Sequence, residues 1–240
     1  MSLPDEEGQD ESYRGNGPHI VNPTLTLCQF CELCGLSICF STQSVPLPLD
    51  KGEDSPLERI LPEPKEECCR VLPPEVPCIV THETRNHRTY VSTNVPALDR
   101  LDYATVMDGL KRTNNAHCKA GDIVMLSNNN AVGTNYSRGD RSKDIHSTVI
   151  SKVFLLTDVK ARGRIRKAFL LMVLSDRFTA LQNIQFLQEH FVNIIQNLLS
   201  RAQQSETDCS WPTGGPSHGP LRSLGKLLQF DNFGQYLHNQ

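Results

Sequence analysis

An excess of positive charge is missing from this 240-residue chain: 24 Lys and Arg stand against 27 Asp and Glu, a formal net charge of −3. A general nucleic-acid binder needs an extended basic face, so that class does not fit. The first residues are acidic (Asp5, Glu6, Glu7, Asp10, Glu11), without a basic start or an apolar stretch, so no secretory signal is expected. Long apolar runs are also missing. The longest, Ala168 to Leu174, falls far short of a membrane span, which excludes direct membrane insertion through a helix. There is no internal repeat, no glycine-rich loop to cradle a nucleotide, and no nucleophile with a matching base. His146 beside Asp144 and Ser147 is only proximity within a loop. These absences predict a soluble intracellular chain with no cofactor, whose membrane association comes through partners.

Apolar residues make up 38% of the chain, low for a compact globule, and 15 Pro with 15 Gly predict much irregular structure. Nine cysteines without a signal peptide read as thiols or metal ligands rather than disulfides. Cys28, Cys31 and Cys34 suggest zinc, but residues three apart on a strand face opposite sides, which turns Cys31 away from the other two. Cys68, Cys69, Cys78, Cys118, His82, His87 and His117 do not make two clean C-x2-C knuckles. The expectation is therefore buried thiols and no metal site.

Along the chain, residues 1–22 read as a disordered acidic arm. Thr24 to Cys34 alternates as a strand with Leu25, Leu27, Cys31 and Leu33 on one face; Gly35 breaks it, and Ile38, Cys39 and Phe40 form a short partner. Residues 45–77 hold eight prolines among acidic residues and read as a long insertion in solvent. Order resumes near Cys78-Ile79-Val80 and Arg88 to Val91. Leu98 to Leu110 has helical spacing, and Ile123 to Leu126, Val149 to Leu156 and Ile165 to Leu174 read as strands. The last is almost continuously apolar from Ala168, as expected of a central strand covered on both faces. Asp158 to Arg164 then forms a tight hairpin tip, with Gly163 free to take positive φ. Asp176 caps a long helix with apolar positions from Leu181 to Leu199 at the 3.6-residue period. Residues 205–220 are a linker around Trp211, and 221–240 a short helical tail. The order implies an α+β fold, an antiparallel sheet sandwiched by helices.

The run Leu27-Cys28-Gln29-Phe30-Cys31-Glu32-Leu33 is more specific than any packing rule requires. With Cys69-Arg70, Tyr90-Val91-Ser92, Phe154 to Asp158, Ala161-Arg162-Gly163 and Asp176-Arg177, it resembles the amino-terminal longin domain of the folliculin family, here over residues 23–204. Ser223-Leu224, Asp231-Asn232 and Leu237-His238 are similar to the family's segment just after that domain. Four departures stand out: the amino-terminal arm precedes the point where the family begins, Lys160 occupies a position that is leucine in the family, the polar loop from Asn128 to Asp144 is longer, and the family continues into a DENN domain.

The resemblance implies a GTPase activator rather than an enzyme with its own active site. It implies pairing with a folliculin-interacting protein and action on a Rag GTPase heterodimer of the Rag C/D class, within amino-acid signalling to the target-of-rapamycin kinase. The place implied is the cytoplasm with recruitment to the lysosomal surface, and a nuclear pool is a further expectation. Arg162 matches the family's arginine finger, with Lys160, Gly163 and Arg164 forming the hairpin that faces the GTPase. Arg166 and Lys167 extend a positive collar that could steer toward a nucleotide. Two further readings are a longin module that recruits a partner by edge-to-edge strand pairing, and, resting on the DENN half, an exchange factor for Rab-type GTPases.

Overall fold

The structure, a computed structural model, describes residues 23–46, 67–73, 75–76, 78–83, 88–94, 100–116, 118–128, 147–158, 160–208 and 224–228. The acidic arm, most of the 45–77 insertion, the polar loop, Trp211 with most of the linker, and the tail beyond Leu228 lie outside the described residues.

Among the described residues seven strands form one sheet: β1 (Thr24–Cys31), β2 (Gly35–Pro46), β3 (Cys78–Glu83), β4 (Arg88–Thr93), β5 (Ile123–Asn128), β6 (Ser147–Thr157) and β7 (Ile165–Leu174). Their order is β3-β4-β2-β1-β7-β6-β5, and every neighbouring pair is antiparallel. Helices α1 (Arg100–Asn115), α2 (Arg177–Gln182), α3 (Ile184–Asp208) and α4 (Leu224–Leu227) complete the α+β architecture that the periodicity anticipates. Among the described residues, no helix is long and apolar enough to cross a membrane.

The run from Ala168 is apolar because both faces of β7 are covered. Leu170 and Leu174 join Leu27, Ile150, Phe154 and Leu156 beneath Phe191, Ile194 and Leu198 of α3. Phe169, Leu171 and Val173 join Cys28, Val149 and Val153 beneath Val106 and Leu110 of α1. Helix α1 sits close to β6: the Thr113 and Ser151 hydroxyls meet at 2.7 Å, and a Cβ on Gly109 would come within 2.8 Å of Val149 Cγ1. Gly109→Ala gains about 1 kcal/mol of helix propensity and loses about 1–3 kcal/mol to overpacking against a stiff β-branched side chain. Thermal unfolding should fall by a few degrees. In a Val149→Ala background the same change should be neutral or stabilising, and an unchanged loss there would contradict this account.

Several boundaries differ from the periodicity, each for a physical reason. β2 runs on past Phe40 to Pro46 because its polar residues are satisfied sideways: Ser41 by Thr26, Thr42 by Ser92, Gln43 by Thr24 and Ser44 by Arg88. Such cross-strand bonds leave no hydrophobic signal. The segment 78–93 contributes a full hairpin, β3 and β4, at one edge of the sheet. Asp176 does cap a helix, its Oδ1 accepting the Thr179 N–H at 2.7 Å, but the cap belongs to α2. Asn183 breaks the helix (φ −106°, ψ 9°), and Leu181 is exposed instead of joining the core. Helix α3 continues to Asp208, into the range assigned to the linker. The end of the proline-rich insertion is not in solvent. A 3-10 turn at Glu67–Cys69 leads to buried Val71 and Leu72, whose N–H groups both donate to Asn94 Oδ1.

Candidate functional site

Thr157 pairs with Ile165, so the β6–β7 hairpin closes through residues 158–164, the tip expected from the sequence. Asp158 organises that tip. Its N–H donates to Arg164 O, its carbonyl accepts the Ala161 N–H, and its Oδ1 accepts the Lys160 N–H, each at 3.0 Å. The Arg164 N–H then donates to Ala161 O at 2.8 Å, making residues 161–164 a closed turn. Gly163 at φ 74°, ψ 6° has the geometry of the third residue of a type II turn, which favours glycine. Arg162 is thus the second residue, at the corner. Arg164 follows in the left-handed region at φ 60°. Gly163→Ala should cost about 1 kcal/mol of backbone strain, read as a fall of about 2–4 °C in thermal unfolding, although no atom crowds the position.

The positive collar is narrower than the sequence suggests. Gly163 and Arg164 are exposed and Lys160 is half-buried. Arg166 does not belong to that surface. It is only 5% exposed and its Nε donates to Oδ2 of Asp158, which is fully buried. Strand alternation places Arg166 on a particular face but cannot reveal that Asp158, eight residues earlier, folds back to meet it. Lys167 is also committed: its Nζ donates to Asn114 Oδ1 at 3.0 Å and lies 5.2 Å from the Phe169 ring centre. A buried ion pair under the tip fixes the hairpin's direction, because neither charge can leave its partner without a large desolvation cost.

On the α3 side of the same sheet end, a second constellation corrects the cysteine geometry inferred from strand periodicity. β1 stops at Cys31, the chain turns through Glu32 to Cys34, and Gly35 at φ 71° starts β2. The three-residue rule therefore applies across a turn, and Cys34 comes back toward Cys31. The 3-10 turn brings Cys68 and Cys69 to the same place, and the sulfurs of Cys31, Cys34, Cys68 and Cys69 all lie within 4.8 Å of one another. No disulfide is formed among the described cysteines. Gln29, fully buried, donates from Nε2 to Cys69 Sγ (3.3 Å) and Cys68 O (3.0 Å). Arg166 Nη1 reaches the same Cys68 carbonyl at 3.4 Å, joining the cluster to the ion pair. The thiols are strongly differentiated. Contact with Cys39, then the Ser37 and Gln29 hydrogen bonds, brings Cys69 down to about 4 against an opposing burial effect. Burial pushes Cys34 up to about 12 and also raises Cys68.

On the opposite, α1 side, β1–β7 pairing ends at Gln29 and Ala168, and the strands part. Phe30, Leu33 and Ile165 stand exposed along the resulting groove, which Glu32, Ala161 and Lys167 also line and whose floor reaches Cys31 and Arg166. The hairpin tip, the cysteine cluster and this apolar groove therefore share one end of the sheet.

Comparison with known proteins gives one family. Residues 139–213, which include β6, the tip, β7, α2 and α3, match the family model described as "Folliculin: Vesicle coat protein involved in Golgi to plasma membrane transport". No curated protein matches the chain.

Proposed function

We propose that the chain, whose residues 139–213 match the folliculin family model, is a member of that family and a GTPase activator acting in trans, with Arg162 as its arginine finger. The observation that carries this reading is the corner position of Arg162 in a closed turn between two core strands, braced from below by Asp158. GTP hydrolysis builds charge on the transferring phosphoryl group, and a planar guanidinium meets that charge with several donors at once. A finger held on a stiff turn loses little entropy when it engages. Lys160, Gly163 and Arg164 surround it on the same turn, and Arg164 adds exposed positive charge to steer the approach. The chain has no catalytic apparatus of its own in this reading; it completes that of its partner.

The partners proposed are a folliculin-interacting protein, which presents the chain, and a Rag GTPase heterodimer of the C/D class, which receives the finger. The setting is amino-acid signalling at the lysosomal surface, reached from the cytoplasm. Single-turnover GTP hydrolysis by the Rag heterodimer tests this, with and without the chain and its partner protein. Stimulation supports the activator reading; tight association with an unchanged rate refutes it.

A second reading is favoured by the exposed Phe30, Leu33 and Ile165: a non-catalytic interaction module that recruits a partner through this apolar groove and the open sheet edges. The family description of a vesicle-coat role in Golgi-to-plasma-membrane transport belongs with this alternative.

A further inference from the structure

Four thiols packed against one another make a poor core. An S–H group is a weak donor and a sulfur a weak acceptor, so the cluster gains little from its internal contacts. Its dimensions have a simpler meaning. Cys68 Sγ lies 3.4 Å from Cys31 Sγ, 3.6 Å from Cys34 Sγ and 3.8 Å from Cys69 Sγ. Four sulfurs about 2.3 Å from a central zinc ion at tetrahedral angles stand about 3.8 Å apart. The three separations from Cys68 thus already approach those of such a tetrahedron, and no other pair exceeds 4.8 Å.

We propose that Cys31, Cys34, Cys68 and Cys69 form a closed tetrathiolate site for a structural zinc ion. The donor set excludes calcium and magnesium, which take oxygen ligands. Soft thiolates in a tetrahedral arrangement select zinc or iron. The spread of at most 4.8 Å suits one ion and is too small for a polynuclear iron–sulfur core between the ligands. All four positions are protein ligands, so no open position remains for water or substrate, and the role is structural. Binding forms four Zn–S bonds and breaks four S–H bonds, whose protons and the ion's bound waters leave to solvent; nothing is oxidised or reduced.

The surroundings suit the charge of such a centre. Zinc with four thiolates carries two net negative charges. The Gln29 amide donates to Cys69 Sγ, and the Arg166 guanidinium lies against the Cys68 carbonyl and within 3.5 Å of Gln29 Oε1. Such outer donors orient ligands and tune affinity. Two segments distant in sequence are clasped together: the end of β1 with its turn into β2, and the 3-10 turn at Glu67–Cys69. Because Cys68 O receives both Gln29 and Arg166, the clasp also anchors the buried end of the ion pair beneath the Arg162 hairpin.

The test uses the whole chain, purified under reducing conditions after zinc-supplemented expression, with metal content read by mass spectrometry. One zinc per chain is expected. Cobalt exchanged into the native chain should show the intense thiolate-to-metal bands and visible absorption of a tetrahedral four-sulfur site. X-ray absorption at the zinc edge should find four sulfurs at about 2.3 Å. These readouts stand even if ligand variants fail to fold. Gln29→Ala, which leaves all four ligands in place, should weaken zinc binding about 10–100-fold, whereas Cys78→Ser and Cys118→Ser should leave it unchanged. Substoichiometric metal with no cobalt–thiolate bands overturns the proposal. So does stoichiometric iron, or loss of two or four titratable thiols to disulfide in the freshly denatured protein.

Discussion

Arg162→Lys should lower the stimulated rate of GTP hydrolysis roughly 10³-fold while leaving the complex with the GTPase intact. Lysine keeps the charge but loses the planar fork, so it can neutralise the developing phosphoryl charge without contacting several oxygens together. A finger supplied in trans is worth about 10³–10⁵ in rate, or roughly 4–7 kcal/mol of barrier. A change at the corner of a solvent-side turn should scarcely affect folding, so thermal unfolding of the variant should match that of the parent. Single-turnover hydrolysis beside an equilibrium binding measurement separates the outcomes. A collapse in rate with unchanged binding is expected. Equal rates would remove Arg162 from the chemistry and leave the groove-mediated interaction module.

The second large effect belongs to Asp158. Asp158→Asn is nearly isosteric and can still accept the Lys160 N–H, but it strips the carboxylate from a buried guanidinium. Breaking one side of a buried ion pair costs about 3–5 kcal/mol, because the remaining charge stays desolvated. For a chain of this size the fall in thermal midpoint is roughly 6–20 °C. The double variant Asp158→Asn with Arg166→Met should recover most of that loss, since neither charge remains inside. Equal destabilisation in single and double variants would mean that the bond network, rather than the charge, sustains the tip. Asp158→Asn should also reduce GTPase stimulation with Arg162 present, because the turn loses its fixed direction.

The hairpin could be read from the sequence for reasons specific to its residues. The run from Ala168 marks β7, Gly163 marks the turn, and the short polar stretch between two apolar strands leaves the chain little choice. Arg166 was illegible because its position in β7 gives a face, while its burial depends on Asp158 across the hairpin. The cysteine cluster was illegible for a related reason. Cys31 ends a strand and Cys34 sits in a turn, so strand alternation does not apply between them. Cys68 and Cys69 lie in a segment whose proline and acid content indicates solvent, yet they pack beside β1, and local periodicity carries no information across such a separation. The break at Asn183 was hidden because α2 and α3 share nearly the same apolar rhythm.

The sheet order has a consequence for the chain's biosynthesis. β1 is made first, yet the strand on one of its sides, β7, is among the last, and Thr24 must find Val173. The β1–β2 and β6–β7 hairpins can each close locally and quickly, whereas the seam between them needs a long loop closure. Until Ile165 to Leu174 leaves the ribosome, β1 keeps an open row of backbone donors and acceptors beside Leu27 and Cys28. Such an edge can pair with other chains. The strand that carries one side of the Asp158–Arg164 hairpin is thus also the one whose arrival ends that exposure.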